Sequence, residues 1–488
     1  MAVKEFYQNY IDGQWVDGGD GRIEVTNPGT GEKLTTHAMA DAADIARAVA
    51  AAKRVHESGA LTTVRPVERG RMVQAMGRYI LEHLDEVAEL LTLEQGKPLW
   101  EAKQEIRGTA RYFEYYGGQA DTVEGKSIPL GQKYYDFTSY EPYGVSAQII
   151  PWNYPVEMAA RSISAALATG NTVVVKSSEI CPCSSYIYAE AAEAAGFPAG
   201  AVNIVCGYGH VAGAALTSHP DVRQVVFTGS VKTGQTIARA AADILAPCVL
   251  ELGGKSAGIV HADADIDGFT NNVRWGIYFN SGQVCSAMSR IIVHEDRHDE
   301  VVENISAMAK GLSVGPGIER PEFGANMGAM ISLKQRDRAV GLVAGAQKAG
   351  ARVVTGGRPL NNDGSFMEPT VLADVTPDME VAQEEIFGPV VSVMKFRTPE
   401  EAIQIANGTP YGLVGGTFTK NLDQAMRDAQ QLRAGQIYVN EWFAGGVETP
   451  FGGYGQSGYG REKGREALFN YVQTKNVAIS IGGGAGRS

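Results

Sequence analysis

The chain has 488 residues, of which 44% are apolar and 20% are charged, as expected for a globular protein of two or three domains. Its formal net charge of −12 at pH 7 argues against nucleic acid or an anionic membrane as a partner, because both require basic surfaces. No apolar run approaches the ~20 residues of a membrane span, and the N-terminus does not resemble a signal peptide. We therefore expect a cytoplasmic protein that acts on a small molecule.

The cysteines and histidines indicate neither a disulfide framework nor a metal site. There are five cysteines, an odd number without a repeating spacing. Cys181 and Cys183 form a C-x-C pair without a second pair of ligands, and the eight histidines include no H-E-x-x-H motif. We expect no catalytic metal.

The N-terminal part of the chain predicts short strands and two helices. Strands are expected around residues 10–13, and helices are expected over 42–56 and 66–93. The second helix carries apolar residues at three- and four-residue steps, and Gly96 and Pro98 follow its end.

From Gly144 onwards, short apolar runs alternate with helical stretches. The predicted strands are 145–150, 172–175, 202–206, 224–227 and 247–251. This alternation predicts a doubly wound parallel sheet, in which ligands bind outside the carboxyl ends of the strands. A second α/β domain is predicted after Cys285, with strands at 290–293, 370–373, 390–396, 412–417 and 436–439. Segments 134–141 and 476–481 belong to neither pattern.

Two sets of residues could hold a phosphate and a ribose at these strand ends. F-T-G-S-V-K-T-G at 227–234 joins a strand to a helix, so the N–H groups near Gly229 and Ser230 could face a pyrophosphate. It lacks the G-x-G-x-x-G pattern, and an ordinary turn has the same features. Lys176 and Glu179 follow the strand at 172–175, where they could reach ribose hydroxyls or form a solvated pair.

Three further residues have the chemistry of acyl transfer. Glu251, in E-L-G-G-K, ends an apolar strand, where burial would raise its pKa towards that of a useful base. Cys285 lies in a loop of small residues, an exposed position, although a lone cysteine is more often a packing residue. Asn153, in P-W-N-Y-P, could donate to an oxyanion or simply cap a helix.

Taken together, these motifs resemble the aldehyde dehydrogenase superfamily, from about Tyr10 to Ile481. The resemblance rests on eight blocks in the family's order: P-W-N-Y-P at 151–155, V-V-V-K-S-S-E at 173–179, F-T-G-S at 227–230, E-L-G-G-K at 251–255, G-Q-V-C at 282–285, E-E-I-F-G-P at 384–389, T-P-F-G-G-Y at 449–454 and S-G-Y-G-R-E at 457–462. One departure is Gly455-Gln456-Ser457, where relatives commonly have a lysine-containing version.

The resemblance implies a catalytic role for four residues. Cys285 would be the nucleophile and Glu251 the base that activates water for hydrolysis of a thioester. The Asn153 amide and the Cys285 N–H would form the oxyanion hole. Glu462 would be a proton-relay residue.

The resemblance also implies NAD as the cofactor. The implied cofactor-binding residues are Lys176 and Glu179 for the adenine ribose, Gly229 and Ser230 with Gly234 for the pyrophosphate, Glu385 with Phe387 for the nicotinamide ribose, and Pro151 and Trp152 nearby. We expect NAD to be preferred over NADP, because the Glu179 carboxylate would repel a 2′-phosphate.

The family architecture implies three parts. These are a Rossmann-like NAD-binding domain at 1–122 and 143–253, a catalytic domain at 254–452, and a bridging element at 123–142 and 453–488. The bridging element would join subunits into a homodimer or homotetramer.

The substrate is less well defined. The resemblance implies that Arg161 is at a position that lines the substrate tunnel in the family. An arginine there resembles semialdehyde and lactaldehyde dehydrogenases, which favours a small polar or anionic aldehyde. Glu157, four residues earlier, could instead neutralise it for structural reasons. With Tyr154, Phe279 and Phe443 nearby, an aromatic or aliphatic aldehyde is the alternative.

Two other functions remain open from the sequence. A coenzyme-A-acylating enzyme would resolve the thioester with a thiol and would not need Glu251, so the presence of Glu251 favours hydrolysis. A catalytically silent relative would not need Cys285, Glu251 and Asn153 together.

Overall fold

The computed structural model describes residues 3–324, 326–360 and 363–481, and two large sheets dominate its fold. The eight-stranded sheet contains, in spatial order, Gly458–Tyr459, Cys248–Glu251, Val222–Thr228, Val145–Ile149, Thr172–Ser177, Val202–Cys206, Asn9–Ile11 and Gln14–Val16. The seven-stranded sheet contains Arg352–Thr355, Thr370–Ala373, Val390–Phe396, Arg290–His294, Ala257–Val260, Val414–Phe418 and Gln436–Val439.

The five central strands of the eight-stranded sheet are parallel. They are mostly buried runs of β-branched and apolar residues, as expected for a parallel sheet covered on both faces. From Val145–Ile149 the chain proceeds outwards to Thr172–Ser177 and Val202–Cys206, then returns to Val222–Thr228 on the other side of the first strand. A ligand crevice is expected where the strand order reverses in this way.

Helices cover the two sheets. Those of eight residues or more in the described chain are Ala42–Glu57, Pro66–Glu82, Leu84–Gln95, Leu99–Gln119, Pro155–Ala168, Tyr186–Ala194, Val231–Asp243, Ile266–Tyr278, His298–Lys310, Leu333–Lys348, Pro399–Ala406 and Leu422–Gln431. Ala214–Thr217 and Glu380–Gln383 are shorter. Among the helices at these positions, none is both long and apolar enough to cross a membrane.

Smaller sheets lie outside the two large ones. Val472–Ser480 pairs antiparallel with Tyr134–Pro142, which also pairs with Ser127–Ile128. The segments 134–141 and 476–481 therefore pair with each other, apart from both large sheets. The other small sheets are Phe6–Tyr7 with Lys33–Ala38 and Arg22–Thr26, Ser313–Val314 with Asn326–Met327, and Tyr411–Gly412 with Tyr454–Gly455.

The predicted α/β class with a doubly wound sheet is confirmed, and the predicted domain boundaries stay a prediction. The predicted bridging segment 453–488 contains strands of more than one sheet. Its Gly458–Tyr459 strand pairs with the edge strand Cys248–Glu251 of the eight-stranded sheet. Residues 1, 2, 325, 361, 362 and 482–488 of the predicted domains lie outside the described residues.

Several element predictions were wrong. The helix expected over 66–93 is two helices, because the chain turns at His83, where φ is −104° and ψ is 16°. A long helix, Leu99–Gln119, was missed in the N-terminal region, and so was the buried strand Ala257–Val260. The strand expected over 412–417 divides between two different sheets.

Candidate active site

Two cavities meet at Cys285. The first, of about 340 Å³, lies at the reversal point of the eight-stranded sheet. It is lined by Pro151, Trp152, Asn153, Met158, Thr228, Gly229, Ser230, Glu251, Leu252, Gly253, Cys285, Gln335, Arg338, Glu385 and Phe387. The second, of about 300 Å³, is lined by Tyr154, Glu157, Met158, Arg161, Phe279, Val284, Cys285, Ser286, Gln436, Tyr438, Phe443, Phe451 and Lys463. All four predicted substrate residues line the second cavity.

Cys285 is partly exposed, whereas Cys181, Cys183 and Cys206 are buried. Burial raises the pKa of the Cys285 thiol to about 12, and Arg161 opposes that shift. The Cys285 N–H has no hydrogen-bond partner among the described residues, so it is available to a ligand. The thiol therefore faces a space that a substrate carbonyl could enter.

The loop that carries Cys285 has an unusual backbone. Asn280 and Ser281 both have positive φ, at 48° and 54°, which is uncommon for residues other than glycine. The Asn280 N–H donates to Glu101 Oε2 at 2.9 Å, and the Ser281 hydroxyl donates to the carbonyl of Gly328 at 2.9 Å. These buried bonds hold the strained loop in one conformation.

The side chain of Asn153 points towards this loop, because its Nδ2 donates to the carbonyl of Gln283 at 3.0 Å. An amide nitrogen has two hydrogens, so one remains for a substrate oxygen. The backbone carbonyl of Asn153 accepts a hydrogen bond from Asn280 Nδ2 at 2.9 Å and another from Lys97 Nζ at 3.0 Å. The sequence analysis did not identify Lys97 or Asn280 as site residues.

Lys97 belongs to a buried charge network that contacts the backbone of Asn153. Its Nζ lies 2.5 Å from Glu105 Oε2, and both side chains are fully buried. Glu105 Oε1 accepts from the N–H groups of Val156 and Glu157 at 3.1 Å, at the start of the helix after Asn153. A carboxylate at that helix end satisfies two N–H groups that lack partners inside the helix.

Glu251 ends its strand as predicted and is 3% exposed. Neither of its carboxyl oxygens has a hydrogen-bond partner among the described residues. Burial raises the pKa of Glu251 well above its ordinary range, and the neighbouring Glu462 raises it further. Gly452 leaves room for the carboxyl group, since a Cβ there would lie 2.9 Å from Glu251 Oε1. The predicted direction of the pKa shift is confirmed.

Arg161 is paired with two carboxylates. Its guanidinium lies 3.2 Å from Glu157 Oε1 and 3.7 Å from Glu462 Oε2. The pair with Glu157 is the structural alternative that the sequence left open. Burial raises the pKa of Glu462, and Arg161 opposes the shift. Glu462 thus contacts Arg161 and influences the pKa of Glu251.

Of the three residues predicted to bind the pyrophosphate, two line the first cavity. Gly229 and Ser230 line it, and Ser230 caps the helix Val231–Asp243 by accepting from the Thr233 N–H. Gly234 does not line it and packs against Leu252 instead, where a Cβ would approach within 2.5 Å.

Lys176 and Glu179 form a pair, with Lys176 Nζ 3.0 Å from Glu179 Oε2. Lys176 lies inside the strand Thr172–Ser177 rather than beyond it, which corrects its predicted position. Neither residue lines the first cavity.

Glu385 and Phe387 also line the first cavity, from the loop between Glu380–Gln383 and Val390–Phe396. Glu385 Oε1 accepts from the Gly254 N–H at 3.0 Å, and burial raises its pKa to about 7. Gly253 makes room for it, because a Cβ there would lie 2.4 Å from Glu385 Oε2. The ring of Phe387 contacts that of Trp152 edge to face, with 5.3 Å between centroids.

Within the ranges that the structure describes, no group of three or more His, Cys, Asp or Glu residues could hold a metal ion.

Comparison with known proteins identifies the family. The family model described as aldehyde dehydrogenase family matches residues 15–477. An aldehyde dehydrogenase of Emericella nidulans is 42% identical over 475 residues, covering 97% of this chain and 95% of its own. The chain belongs to the aldehyde dehydrogenase family.

Solved structures agree with this assignment. The NAD+ complex of an aldehyde dehydrogenase from Bacillus cereus has a TM-score of 0.96 at 40% identity and covers 99% of this chain and 98% of its own. A variant of the P. syringae indole-3-acetaldehyde dehydrogenase with NAD+ and IAA has a TM-score of 0.96 at 36% identity, covering 99% and 97%. The predicted family, fold class and enzyme class, an NAD(P)-dependent aldehyde dehydrogenase, are confirmed.

Proposed function

We propose that this chain oxidises an aldehyde to a carboxylic acid with NAD, through a thioester on Cys285 that water hydrolyses. One observation carries the proposal: Cys285, Glu251 and Asn153 line the same cavity as the Gly229–Ser230 turn and Glu385. A nucleophile, a base, an oxyanion donor and a cofactor cradle therefore share one space.

The residues of the first cavity fit NAD. The helix that begins after Ser230 presents unpaired N–H groups and a positive dipole end to a pyrophosphate. The Glu385 carboxylate is an acceptor suited to ribose hydroxyls, and Trp152 and Phe387 offer aromatic surface. Glu179, which does not line this cavity, is the carboxylate that we propose for the adenine ribose. Bound NAD+ would supply the acceptor for a hydride.

Cys285 and Asn153 would carry out the first half of the reaction. The sulfur adds to the aldehyde carbon, and the resulting oxyanion accepts hydrogen bonds from Asn153 Nδ2 and the Cys285 N–H. Because the raised pKa keeps Cys285 mostly protonated near neutral pH, a base must take the thiol proton. Water can accept this proton, so the small thiolate fraction reacts and Glu251 acts only in the hydrolysis step. Hydride loss from the same carbon leaves the thioester.

Glu251 would then activate water against the thioester. Its raised pKa makes its ionised form a stronger base than an exposed carboxylate. Glu462 is also buried and raises the pKa of Glu251, and we propose it as the proton-relay residue for the proton that Glu251 takes from water.

The walls of the second cavity favour a compact, largely apolar aldehyde. Five of the thirteen lining residues are aromatic: Tyr154, Phe279, Tyr438, Phe443 and Phe451. The rings of Tyr154 and Phe279 are stacked at 6.2 Å between centroids. Arg161 already contacts the carboxylates of Glu157 and Glu462, while its Nε has no hydrogen-bond partner among the described residues.

The test is aldehyde-dependent formation of reduced nicotinamide, measured by its absorbance with a panel of aldehydes and with either NAD or NADP. Wild-type enzyme should turn over and Cys285→Ala should not, while still binding NAD. Turnover that requires coenzyme A and yields an acyl-CoA would overturn the hydrolytic step. Normal turnover by Cys285→Ala would overturn the mechanism.

We also propose that the sheet formed by Ser127–Ile128, Tyr134–Pro142 and Val472–Ser480 joins subunits into a homodimer or homotetramer. Tyr134, Tyr135 and Phe137 on Tyr134–Pro142 and Ile479 on Val472–Ser480 are exposed apolar residues on this sheet. Sedimentation analysis tests this, and a monomer at micromolar concentration would contradict it. A cytoplasmic location stays a prediction.

A further inference from the structure

The second cavity contains a lysine to which no role has been given. Lys463 lines this cavity together with Cys285, although the two residues are 178 positions apart. Five of the thirteen residues that line the cavity are aromatic, including Phe443 and Phe451. An ammonium group beside aromatic side chains is a polar feature that can fix the orientation of a ligand.

The charges in this wall are not balanced. The lining has two cations, Arg161 and Lys463, and one carboxylate, Glu157. Arg161 holds Glu157 at 3.2 Å and also contacts Glu462. Lys463 forms no hydrogen bond or ion pair with any residue that the structure describes, and its Nζ lies 5.8 Å from the centre of the Phe451 ring.

The remaining carboxylate near Lys463 is also engaged. Glu448 acts on Lys463 at longer range but forms an ion pair with Arg111. Glu157, Glu448 and Glu462 each form an ion pair with an arginine, and none of them forms one with Lys463. This leaves the ammonium group as the one cation of the described cavity lining without a partner.

The backbone around Lys463 is held on both sides. Glu462 and Phe451 exchange two backbone hydrogen bonds at 2.6 and 2.7 Å, and the Gly464 N–H donates to the carbonyl of Val447 at 2.7 Å. Lys463 itself has a φ of 61°, in the left-handed region that a long side chain rarely adopts. Such a conformation persists only where its surroundings enforce it, so the start of the side chain is fixed at the cavity wall.

We propose that Lys463 is a specificity-determining residue that binds a carboxylate on the substrate, at the end remote from the aldehyde. This rests on the proposed aldehyde oxidation at Cys285 and names its substrate class, an aldehyde with an apolar body and an anionic tail. The tail would supply the partner that Lys463 lacks. The sequence assigned this role to Arg161, whose partners are internal.

The electrostatics of the site agree with this role. Burial, together with the nearby Arg161, lowers the pKa of Lys463 to about 8, although Glu157, Glu448 and Glu462 oppose the shift. The Lys463 side chain is therefore mostly charged at pH 7 and loses its charge as the pH rises through 8. A bound carboxylate would restore the favourable surroundings of the charged form.

The experiment compares acids with neutral amides of the same shape. The pairs are 4-carboxybenzaldehyde with 4-formylbenzamide, and succinic semialdehyde with 4-oxobutanamide. We expect wild-type kcat/KM to favour the acid in at least one pair by about tenfold or more. In Lys463→Met and Lys463→Gln that ratio should fall by at least about tenfold, and Lys463→Arg should keep most of it. Both Lys463→Met and Lys463→Gln are tested, so that a folding defect in one variant does not prevent the comparison.

A pH series on the wild type adds a test that needs no variant. The acid-to-amide ratio should fall as pH rises from about 7 to 9, because the free enzyme loses the Lys463 charge in that range. Titration of Cys285 and Glu251 affects both substrates and cancels in the ratio. In Lys463→Met the ratio should not change with pH.

Arg161→Met is the comparison variant, since it removes the other cation of the same wall. It should lower kcat/KM for acid and amide alike, because Arg161 contacts Glu157 and Glu462. The proposal is overturned if wild type favours neither acid, or if Lys463→Met lowers both members of a pair equally. If wild type oxidises none of the aldehydes of a wider panel with NAD, the proposed function itself has failed.

Discussion

Lys97 Nζ donates a hydrogen bond to the backbone carbonyl of Asn153 at 3.0 Å. The same ammonium group contacts Glu105, whose other oxygen caps the helix that follows Asn153. Lys97 also lies 4.0 Å from the centre of the Tyr154 ring. The residue proposed to bind the oxyanion is therefore anchored through its backbone by a buried cation outside both cavities.

Lys97→Met should reduce both stability and turnover. It leaves Glu105 buried without its ion-pair partner, which should cost about 3–5 kcal/mol of unfolding free energy. It also frees the Asn153 backbone, so we expect a fall in kcat of up to about 10²-fold, with little change in the KM for NAD. Denaturant unfolding and steady-state kinetics measure the two effects.

A double-mutant cycle with Asn153→Ala separates positioning from general damage. If Lys97 acts through Asn153, Lys97→Met should slow Asn153→Ala much less than it slows the wild type. Arg69→Met is the matched control, because the buried Arg69 donates to the carbonyl of Ala168 at 3.0 Å, at the far end of the same helix. Additive effects for both pairs would rule out the positioning role.

The sequence predicted the site residues whose position follows from the local pattern of strands. Glu251 and Asn153 each follow or end an apolar strand, and parallel strands bring their carboxyl ends to one edge of a sheet. The predicted boundaries at Val202–Cys206 and Val390–Phe396 agree with the structure because β-branched runs there are bounded by polar or turn residues.

The features that the sequence did not predict depend on tertiary contacts. No glycine or proline marks the break at His83, and apolar periodicity continues past it. Lysine is rarely fully buried, so Lys97 carried no signal of its role until the Leu99–Gln119 helix brought Glu105 beside it. The neutralisation of Arg161 by Glu462 likewise joins residues 301 positions apart, which no local pattern predicts.

Glu251→Gln should stop the reaction after one turnover. Hydride transfer needs Cys285 and the oxyanion donors, whereas thioester hydrolysis needs the carboxylate of Glu251 as base. Rapid mixing should show a burst of reduced nicotinamide close to one equivalent per active site, followed by turnover slowed by about 10²-fold or more. Steady turnover at the wild-type rate would contradict the assignment of Glu251.

Glu179 should control the choice between NAD and NADP. Its carboxylate can accept from the ribose hydroxyls of NAD but would repel a 2′-phosphate. Glu179→Ala should raise the ratio of kcat/KM for NADP to that for NAD by about tenfold or more, because Lys176, now released from its 3.0 Å pair, could meet the phosphate. An unchanged ratio would show that Glu179 does not contact the cofactor.

Cys285 should react as a protonated thiol in the enzyme without cofactor. Because burial raises its pKa to about 12, the thiolate is a small fraction of the total at neutral pH, and that fraction increases about tenfold with each pH unit below the pKa. The rate of alkylation by iodoacetamide should therefore climb steadily from about pH 7 to 9 without a plateau. Peptide mass spectrometry separates labelling at Cys285 from that at the partly exposed Cys248, and Cys285→Ala is the blank. Arg161 lowers this pKa, so Arg161→Leu should slow alkylation throughout the range. A plateau reached below pH 8, or an unchanged rate in Arg161→Leu, would mean that the thiol is activated by a group other than Arg161.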